Sequence, residues 1–248
     1  MGGGVPLDNP NRREFHDLPT PSIIRTIAPR SKPLQETRVL LLRHAETSSP
    51  DCFHGAESDI DLGDRGRSQA ATVAVRLAAF RPDAVYSSGM LRARETATPI
   101  AGACQLVPQV IETLHERRMG PLSGQPKAEG WSTYQQAMTH WMAGDLDYTH
   151  EGGESFADIA ARTVPPFQAL ADRHRGETIV VVAHGVVIRV LLCSLVEDLS
   201  QADFADVPIE FVGVNDLRWN GTRWSAVGFE RNGSPSQNQG GSSEPLKT

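Results

Sequence analysis

The sequence predicts an α/β domain, a three-layer sandwich with a mostly parallel central sheet and helices on both of its faces. Two runs of consecutive aliphatic residues, 39–42 and 179–183, have the composition of strands that are buried on both sides. Segments with a helical spacing of apolar residues alternate with these two runs and with shorter strand-like ones. This alternation is typical of strands joined by helical crossovers, and it predicts a parallel sheet between two layers of helices.

The predicted elements follow one another within residues 37–231, which we expect to form one folded domain. Apolar spacing sets their type, and prolines and glycines set their limits. Helices are expected from residue 64 to before Pro82 and at 90–103, 131–143, 155–174 and 186–196. Further strands are expected at 84–87 and 109–111, and a terminal pair within 211–218 and 224–229, joined through Asn220 and Gly221.

The two ends of the chain differ in composition from this body. Residues 1–36 begin with glycines at 2–4 and contain six prolines, which are incompatible with a long helix or a central strand. We expect them to form a flexible arm. Residues 232–248 are rich in Gly, Ser, Gln and Asn, and we expect a disordered tail there.

The composition excludes several classes of partner. A net charge of −6 over 248 residues argues against a broad surface for nucleic acid or anionic membranes. No apolar run approaches the roughly 20 residues of a membrane helix, and the N-terminus does not have the pattern of a signal peptide. Cys52, Cys104 and Cys193 have neither disulfide nor zinc-site spacing. We therefore expect a cytoplasmic protein with reduced thiols; the sequence does not indicate its oligomeric state.

Polar residues with catalytic chemistry stand where predicted strands end. Arg43 and His44 follow the first strand, and His184 follows a later one. If these strands are parallel neighbours, both histidines lie at the carboxyl edge of the sheet, where α/β proteins place ligands. Arg92 and Glu116 add a second guanidinium and a carboxylate. The set suits phosphoryl transfer: His44 can attack phosphorus, the arginines and His184 can neutralise its oxygens, and Glu116 can exchange protons.

Five motifs, in this order, resemble those of the histidine phosphatase superfamily, which has the phosphoglycerate-mutase-like fold. One such motif is weakly specific, whereas five in sequence are strongly specific. They span about residues 38–230 and are Arg43-His44-Ala45-Glu46-Thr47, the Ser-Ser-x-x-x-Arg-Ala-x-x-Thr-Ala pattern from Ser87 to Ala97, Glu116 before Gly120 and Gly124, Gly153-Glu154-Ser155, and His184-Gly185.

The resemblance implies a metal-independent phosphomonoester hydrolase that uses no cofactor and acts on a small phosphorylated metabolite. Its implied catalytic residues are His44 as the phosphorylated nucleophile, Glu116 as general acid and base, and His184. Arg43, Arg92 and His184 are implied to bind the phosphoryl group. No metal site is expected.

The substrate side departs from the family's pattern. Many members place an Asn shortly after the first motif, where this chain has Ser48, Ser49 and Pro50. Thr47, Ser48 and His54 are therefore the candidate substrate contacts. Ala45 replaces the usual Gly of the first motif, and we expect this to be tolerated.

Two other functions remain open from the sequence. The first is a phosphoglycerate-type mutase; family mutases carry a longer segment than residues 121–151, so hydrolysis is favoured. The second is a non-catalytic phosphate-binding module on the same fold, which would need neither a nucleophile nor a proton donor.

Several other residues near the motifs have less specific interpretations. Arg117 and Arg118 could recruit a second anionic group, although a surface role is favoured. Trp131, Tyr134 and Trp141, at helical spacing, are expected in a cap or core.

Overall fold

The computed structural model describes residues 1–3 and 35–229. Most of the predicted N-terminal arm, and the whole of the predicted tail at 232–248, lie outside the described residues.

Six strands and five α-helices make up the described domain. The strands are β1 (Thr37–Arg43), β2 (Ala84–Ser87), β3 (Gln109–Val110), β4 (Thr178–Ala183), β5 (Val214–Trp219) and β6 (Trp224–Phe229). The helices are α1 (Asp64–Ala78), α2 (Leu91–Ala103), α3 (Lys127–Met142), α4 (Phe156–Arg173) and α5 (Gly185–Leu195). Helix α3 begins four residues before the predicted limit, directly after Pro126, and β3 is one residue shorter than predicted.

The strands form one mixed sheet in the order β3-β2-β4-β1-β5-β6. The pairings β3–β2, β2–β4 and β4–β1 are parallel, whereas β1–β5 and β5–β6 are antiparallel. The prediction of a mostly parallel sheet with a terminal strand pair is therefore confirmed.

Helices cover both faces of the sheet because successive residues of the central strands point in opposite directions. Val39 and Leu41 of β1 belong to a core cluster that includes residues of α3, α4 and α5. Leu40 and Leu42 belong to a second cluster with residues of α1 and α2. This arrangement confirms the three-layer prediction and explains why β1 is aliphatic on both faces.

The pairing of β1 with β4 brings the two predicted histidines to one edge of the sheet. Arg43 is in register with Ala183, the last residue of β4. The backbone N–H of His44 donates to the carbonyl oxygen of Ala183 at 2.9 Å. His44 and His184 therefore leave the sheet side by side.

Candidate active site

His44 lies immediately after β1 and is only 4% exposed. Its Nδ1 is 2.7 Å from the carbonyl oxygen of Ala45. Because a carbonyl oxygen can only accept, Nδ1 carries the proton and the lone pair lies on Nε2. Burial lowers the pKa of His44 well below its usual value, and the charges of Arg92 and Arg43 lower it further. The imidazole is therefore neutral near pH 7, with Nε2 available as a nucleophile.

His184 is fully buried, and its ring centroid lies 5.2 Å from that of His44. Its Nε2 is 2.6 Å from Oγ of Ser88, which also accepts from the N–H of Met90. Burial, and then the charge of Arg92, lowers the pKa of His184 well below its usual value. The Ser88 hydroxyl can donate to Nε2 or accept from it, so this bond is compatible with either tautomer of the neutral ring. Nδ1 of the same ring is buried without a partner among the described residues.

Arg43 and Arg92 show the same feature as His184. Arg43 donates through Nη1 to the carbonyl oxygen of Ile209, and Arg92 donates to the carbonyl oxygens of Ser58 and His54. Within the described part of the chain, both Nε atoms are buried and unpartnered. Burial lowers the pKa of Arg92 to about 10, so this side chain is still a cation at pH 7.

Six buried side-chain nitrogens lack partners among the described residues, and three of them belong to Arg43, Arg92 and His184, the residues that the resemblance assigns to phosphate binding. Buried polar groups in folded proteins are nearly always hydrogen-bonded, so such a cluster requires an explanation.

Glu116 is 7% exposed and is held by two backbone donors. Its Oε1 accepts from the N–H of Arg117 at 2.8 Å, and its Oε2 accepts from the N–H of Val186 at 3.3 Å. Val186 lies in the first turn of α5, where the helix dipole favours a negative charge. Helix α5 therefore connects the carboxylate to His184, the residue that precedes the helix.

Arg162 on α4 holds the loop that carries Glu116 through hydrogen bonds to its backbone. Its guanidinium binds both carboxylate oxygens of Glu154, at 2.8 and 2.9 Å. The same guanidinium donates to the carbonyl oxygens of Thr113, His115 and Glu116. Burial would raise the pKa of Glu154, but its bonds to Arg162 and to the N–H of Arg118 outweigh burial and lower the pKa. The sequence analysis did not identify Arg162. It lies within the predicted helix 155–174, and nothing in the helical pattern indicates that its side chain reaches the loop that carries Glu116.

A cavity of about 410 Å³ opens beside these residues. Five predicted site residues contribute to its lining: Arg43, His44, Thr47, His54 and Glu116. Arg92 and His184 are not part of the lining and are fully buried.

The three candidate substrate contacts differ in position. Thr47 is buried and lines the cavity. Ser48 lies outside the lining, in an exposed position, and its hydroxyl bonds Asp61 at 2.6 Å. His54 lines the cavity, but its ring nitrogens are both occupied, by Ser58 and by the carbonyl oxygen of Ser49.

Two cations that the sequence analysis did not single out also line the cavity. Lys127 is the first residue of α3, and its Nζ donates to the carbonyl oxygen of Pro50. Arg189 lies one helical turn beyond Gly185 on α5, and its Nε donates to Val207. The sequence could have indicated Arg189 as a cavity residue, because it lies one helical turn after the His184-Gly185 motif.

Phe211 is a third unpredicted residue of the cavity. Its ring lies 4.1 Å from the guanidinium carbon of Arg43 and 5.8 Å from the ring of His44. It therefore packs against both residues that follow β1, although no motif includes it.

The favoured surface role of Arg117 is wrong. This residue is fully buried, its guanidinium lies 4.5 Å from the ring of Trp141, and its Nε donates to the carbonyl oxygen of Glu154. Trp141 belongs to the core as expected. Tyr134 packs against two core clusters and also lines the cavity, whereas Trp131 lines the cavity and is exposed.

The described residues contain no group of three or more His, Cys, Asp or Glu side chains that could hold a metal ion. Among the described helices, none has the length and apolar character needed to cross a membrane.

Comparisons with known proteins identify relatives of this chain. The model of the histidine phosphatase superfamily (branch 1) matches residues 39–232. A metal-independent phosphoserine phosphatase of Arabidopsis thaliana is 34% identical over 77% of this chain and 82% of its own length. A 2,3-bisphosphoglycerate-dependent phosphoglycerate mutase of Brucella anthropi is 31% identical over 63% and 80%. The solved structure of a mycobacterial glucosyl-3-phosphoglycerate phosphatase superposes with a TM-score of 0.68, at 27% identity over 78% and 98%.

Proposed function

Because this chain belongs to the histidine phosphatase superfamily, we propose that it hydrolyses phosphomonoesters through a phosphohistidine on His44. In the first step, Nε2 of His44 forms a bond to phosphorus while the bond to the ester oxygen breaks. Glu116, in its protonated form, gives its proton to the leaving alcohol. In the second step, Glu116 takes a proton from water, which attacks phosphorus and breaks the P–N bond. Inorganic phosphate leaves, and both residues return to their starting states.

The observation that carries this proposal is the set of three unpartnered buried nitrogens: Nε of Arg43, Nε of Arg92 and Nδ1 of His184. The two guanidinium nitrogens are donors on permanent cations, and Nδ1 of His184 is a donor whenever it carries the ring proton, so the group that the set suits is an anion with several acceptor oxygens. A phosphoryl group on the adjacent His44 has this chemistry. Donors that are already in place also stabilise the charge on the transferring group.

The substrate is a small phosphorylated metabolite. The two additional cations, Lys127 and Arg189, support an anionic ligand, and the cavity is within the size range for small molecules. The relatives named above act, by their names, on phosphoserine and on phosphoglycerate derivatives.

A mutase is the second candidate, supported by the relationship to the Brucella anthropi enzyme. Hydrolysis is favoured because only residues 121–151 separate the Glu116 loop from the Gly153-Glu154-Ser155 motif, whereas the resemblance implies a longer segment there in a mutase. A module that only binds phosphate would not need Nε2 of His44 unprotonated, nor a carboxylate in the same cavity.

A panel of phosphorylated metabolites, scored by kcat/KM, tests the proposal. The panel includes 3-phosphoglycerate with a bisphosphoglycerate primer. We expect release of inorganic phosphate from at least one monoester. Formation of 2-phosphoglycerate without phosphate release would identify a mutase, and binding without turnover of any ester would identify a binding module.

We expect His44 and His184 to remain neutral well below pH 6.5, because burial and the neighbouring guanidinium groups lower both pKa values. Protonation of Nε2 would remove the nucleophilic lone pair, so the neutral form must persist for activity at mildly acid pH. ¹⁵N NMR of histidine-labelled protein measures the two pKa values, and His44→Asn and His184→Asn variants assign the signals. A titration of His44 at or above pH 6.5 in the free protein would contradict this expectation.

Activity should survive dialysis against a strong chelator. The proposed steps use only side chains of this chain. The assay compares hydrolysis of an aryl phosphate before and after chelation, and after Mg²⁺ or Zn²⁺ is restored. A loss of most of the activity that a metal reverses would refute the metal-independent step.

Arg162→Leu should lower kcat about 100-fold with little change in KM, because small displacements of a catalytic group have effects of this size. In the variant, the carbonyl oxygens of Thr113, His115 and Glu116 lose their guanidinium donor, and the loop that carries Glu116 is no longer held in place. We therefore infer that Arg162 is a positioning residue. The loss of kcat/KM, which reports the first step, should be greater for an alkyl phosphate than for p-nitrophenyl phosphate, since only the alkyl leaving group needs a proton. Arg162→Lys should recover little, because one ammonium cannot replace the guanidinium fork.

Arg223→Leu is the matched control for this prediction. Arg223 also pairs with a glutamate, Glu197, but on the surface and outside the cavity lining. Equal losses of Arg162→Leu on both esters would show that the effect of Arg162 is not exerted through Glu116.

A further inference from the structure

The cavity has a wall of three aromatic rings, formed by Phe53, Trp131 and Tyr134 and called here the aromatic wall. The planes of Phe53 and Trp131 are inclined by only 11°, with centroids 6.3 Å apart. Tyr134 lies 5.3 Å from Phe53 and 5.5 Å from Trp131, inclined by 32° and 28°. The three rings therefore present a nearly continuous apolar surface beside the catalytic residues.

Local sequence explains this surface. Trp131 and Tyr134 are three residues apart on α3, so they share one face of the helix. Gly130 allows the helix to approach Phe53, because a Cβ at that position would lie 3.0 Å from the Phe53 ring. Phe53 comes from the loop at residues 48–63, which departs from the family's pattern.

Trp131 is 44% exposed although it belongs to this cluster. A large ring that is half exposed at a cavity is available to cover an apolar ligand group. An apolar ligand group can therefore pack against the exposed part of Trp131 and bury it.

The charges of the cavity indicate which alcohols suit this wall. Among the described lining residues, Glu116 is the only carboxylate, while Arg43, Lys127 and Arg189 are cations. A substrate ammonium group would have no carboxylate partner other than the proposed proton donor, and it would face three like charges. An uncharged apolar group meets neither difficulty, and the cations, which support an anionic ligand in the proposed function, are then left to the phosphoryl end of the same ester.

We propose that the aromatic wall is the subsite for the alcohol half of the substrate and that it selects phosphomonoesters of apolar, flat alcohols. The inference rests on the proposed function, since it concerns the leaving group of the same reaction. It places the phosphoryl group at His44 and the apolar body of the alcohol against Trp131 and its neighbours.

The test compares kcat/KM for 2-phenylethyl phosphate, ethyl phosphate and O-phosphoserine. The first two leave as primary alcohols of similar acidity, so their ratio reports binding of the phenyl group and not leaving-group chemistry. We expect 2-phenylethyl phosphate to exceed ethyl phosphate by about tenfold or more, the scale of discrimination by an apolar pocket. It should also exceed O-phosphoserine.

Trp131→Ala should reduce the ratio of 2-phenylethyl to ethyl phosphate to within about threefold of unity, and Trp131→Phe should restore part of it. Phe80→Ala is the matched control: Phe80 is an aromatic residue 38% exposed and outside the cavity lining, and its variant should keep the wild-type ratio.

The outcomes separate this inference from the proposed function. If the wild-type protein hydrolyses ethyl phosphate or O-phosphoserine but gains nothing from the phenyl group, the inference fails and the phosphatase assignment stands. An unchanged ratio in Trp131→Ala also refutes the inference. If no ester is hydrolysed, the proposed function itself fails.

Discussion

His44→Ala should lower kcat for p-nitrophenyl phosphate by about 10⁵-fold or more, because removal of a nucleophile abolishes the covalent route and leaves only binding effects. His44 is the only one of the proposed groups that forms a bond to phosphorus. Initial rates at saturating substrate measure the loss, and circular dichroism with thermal melting tests the fold.

Two further variants distinguish loss of the nucleophile from the effects of a cavity or of removing any histidine. His44 is buried and its removal leaves a small void, so His44→Asn retains more of the volume and should be equally inactive. His140→Ala is the histidine control, since His140 is partly exposed and pairs with Asp145 away from the cavity. Residual activity of a few per cent in a folded His44→Ala protein would exclude His44 as the nucleophile.

Glu116→Gln should have an effect that depends on the leaving group. An alkyl alkoxide is a poor leaving group and needs a proton from Glu116, so we expect kcat/KM for an alkyl phosphate to fall about 10³-fold. p-Nitrophenolate leaves without protonation, and its kcat/KM, which reports the first step, should fall by about tenfold or less. A plot of log kcat/KM against the pKa of the leaving alcohol should be steeper in the variant.

The glutamine also changes hydrogen bonding, which the controls must take into account. Both carboxylate oxygens of Glu116 accept from backbone N–H groups; the amide oxygen of glutamine can keep one of these bonds, whereas its NH₂ group, a donor, loses the other. Some loss of thermal stability is therefore expected. Glu112→Gln, at an exposed position four residues earlier, is the matched control. Equal losses on alkyl and aryl esters would remove Glu116 from the role of proton donor.

The fold and the centre of the site were predictable because their signals are local. The aliphatic runs that end at His44 and His184 specify two central strands, and parallel pairing then requires both histidines at one edge. The short motifs around Arg92 and Glu116 lie at element boundaries, where composition and spacing are informative.

The remaining parts of the site depend on contacts between distant segments. Arg162 reaches the Glu116 loop across 46 residues, and Arg117 folds inward onto Trp141 instead of facing solvent. Periodicity on α3 could not distinguish rings in the core from rings at a cavity. Trp131 and Trp141 lie on the same helix, and the first is exposed whereas the second is fully buried.

The segment before β5 is the clearest case that sequence could not predict. Phe211 packs on Arg43, and the N–H of Val212 donates to the carbonyl oxygen of Arg43 at 3.1 Å. Val212 has a φ of 52°, which a β-branched residue rarely adopts. Such strain is maintained only where the surrounding contacts impose it, and here they position the arginine next to His44.

The central claim is that the reaction passes through a phosphoryl group on His44, and rapid-quench mass spectrometry of Glu116→Gln tests it most directly. With p-nitrophenyl phosphate, the first step needs no proton from Glu116, whereas hydrolysis of the intermediate lacks its base. We expect a burst of p-nitrophenol equal to the enzyme concentration, with a phosphoryl group on the peptide that contains His44, labile in acid and stable in alkali. Repeated turnover with the enzyme unmodified at every time point, or a phosphoryl group on another residue, would contradict the claim.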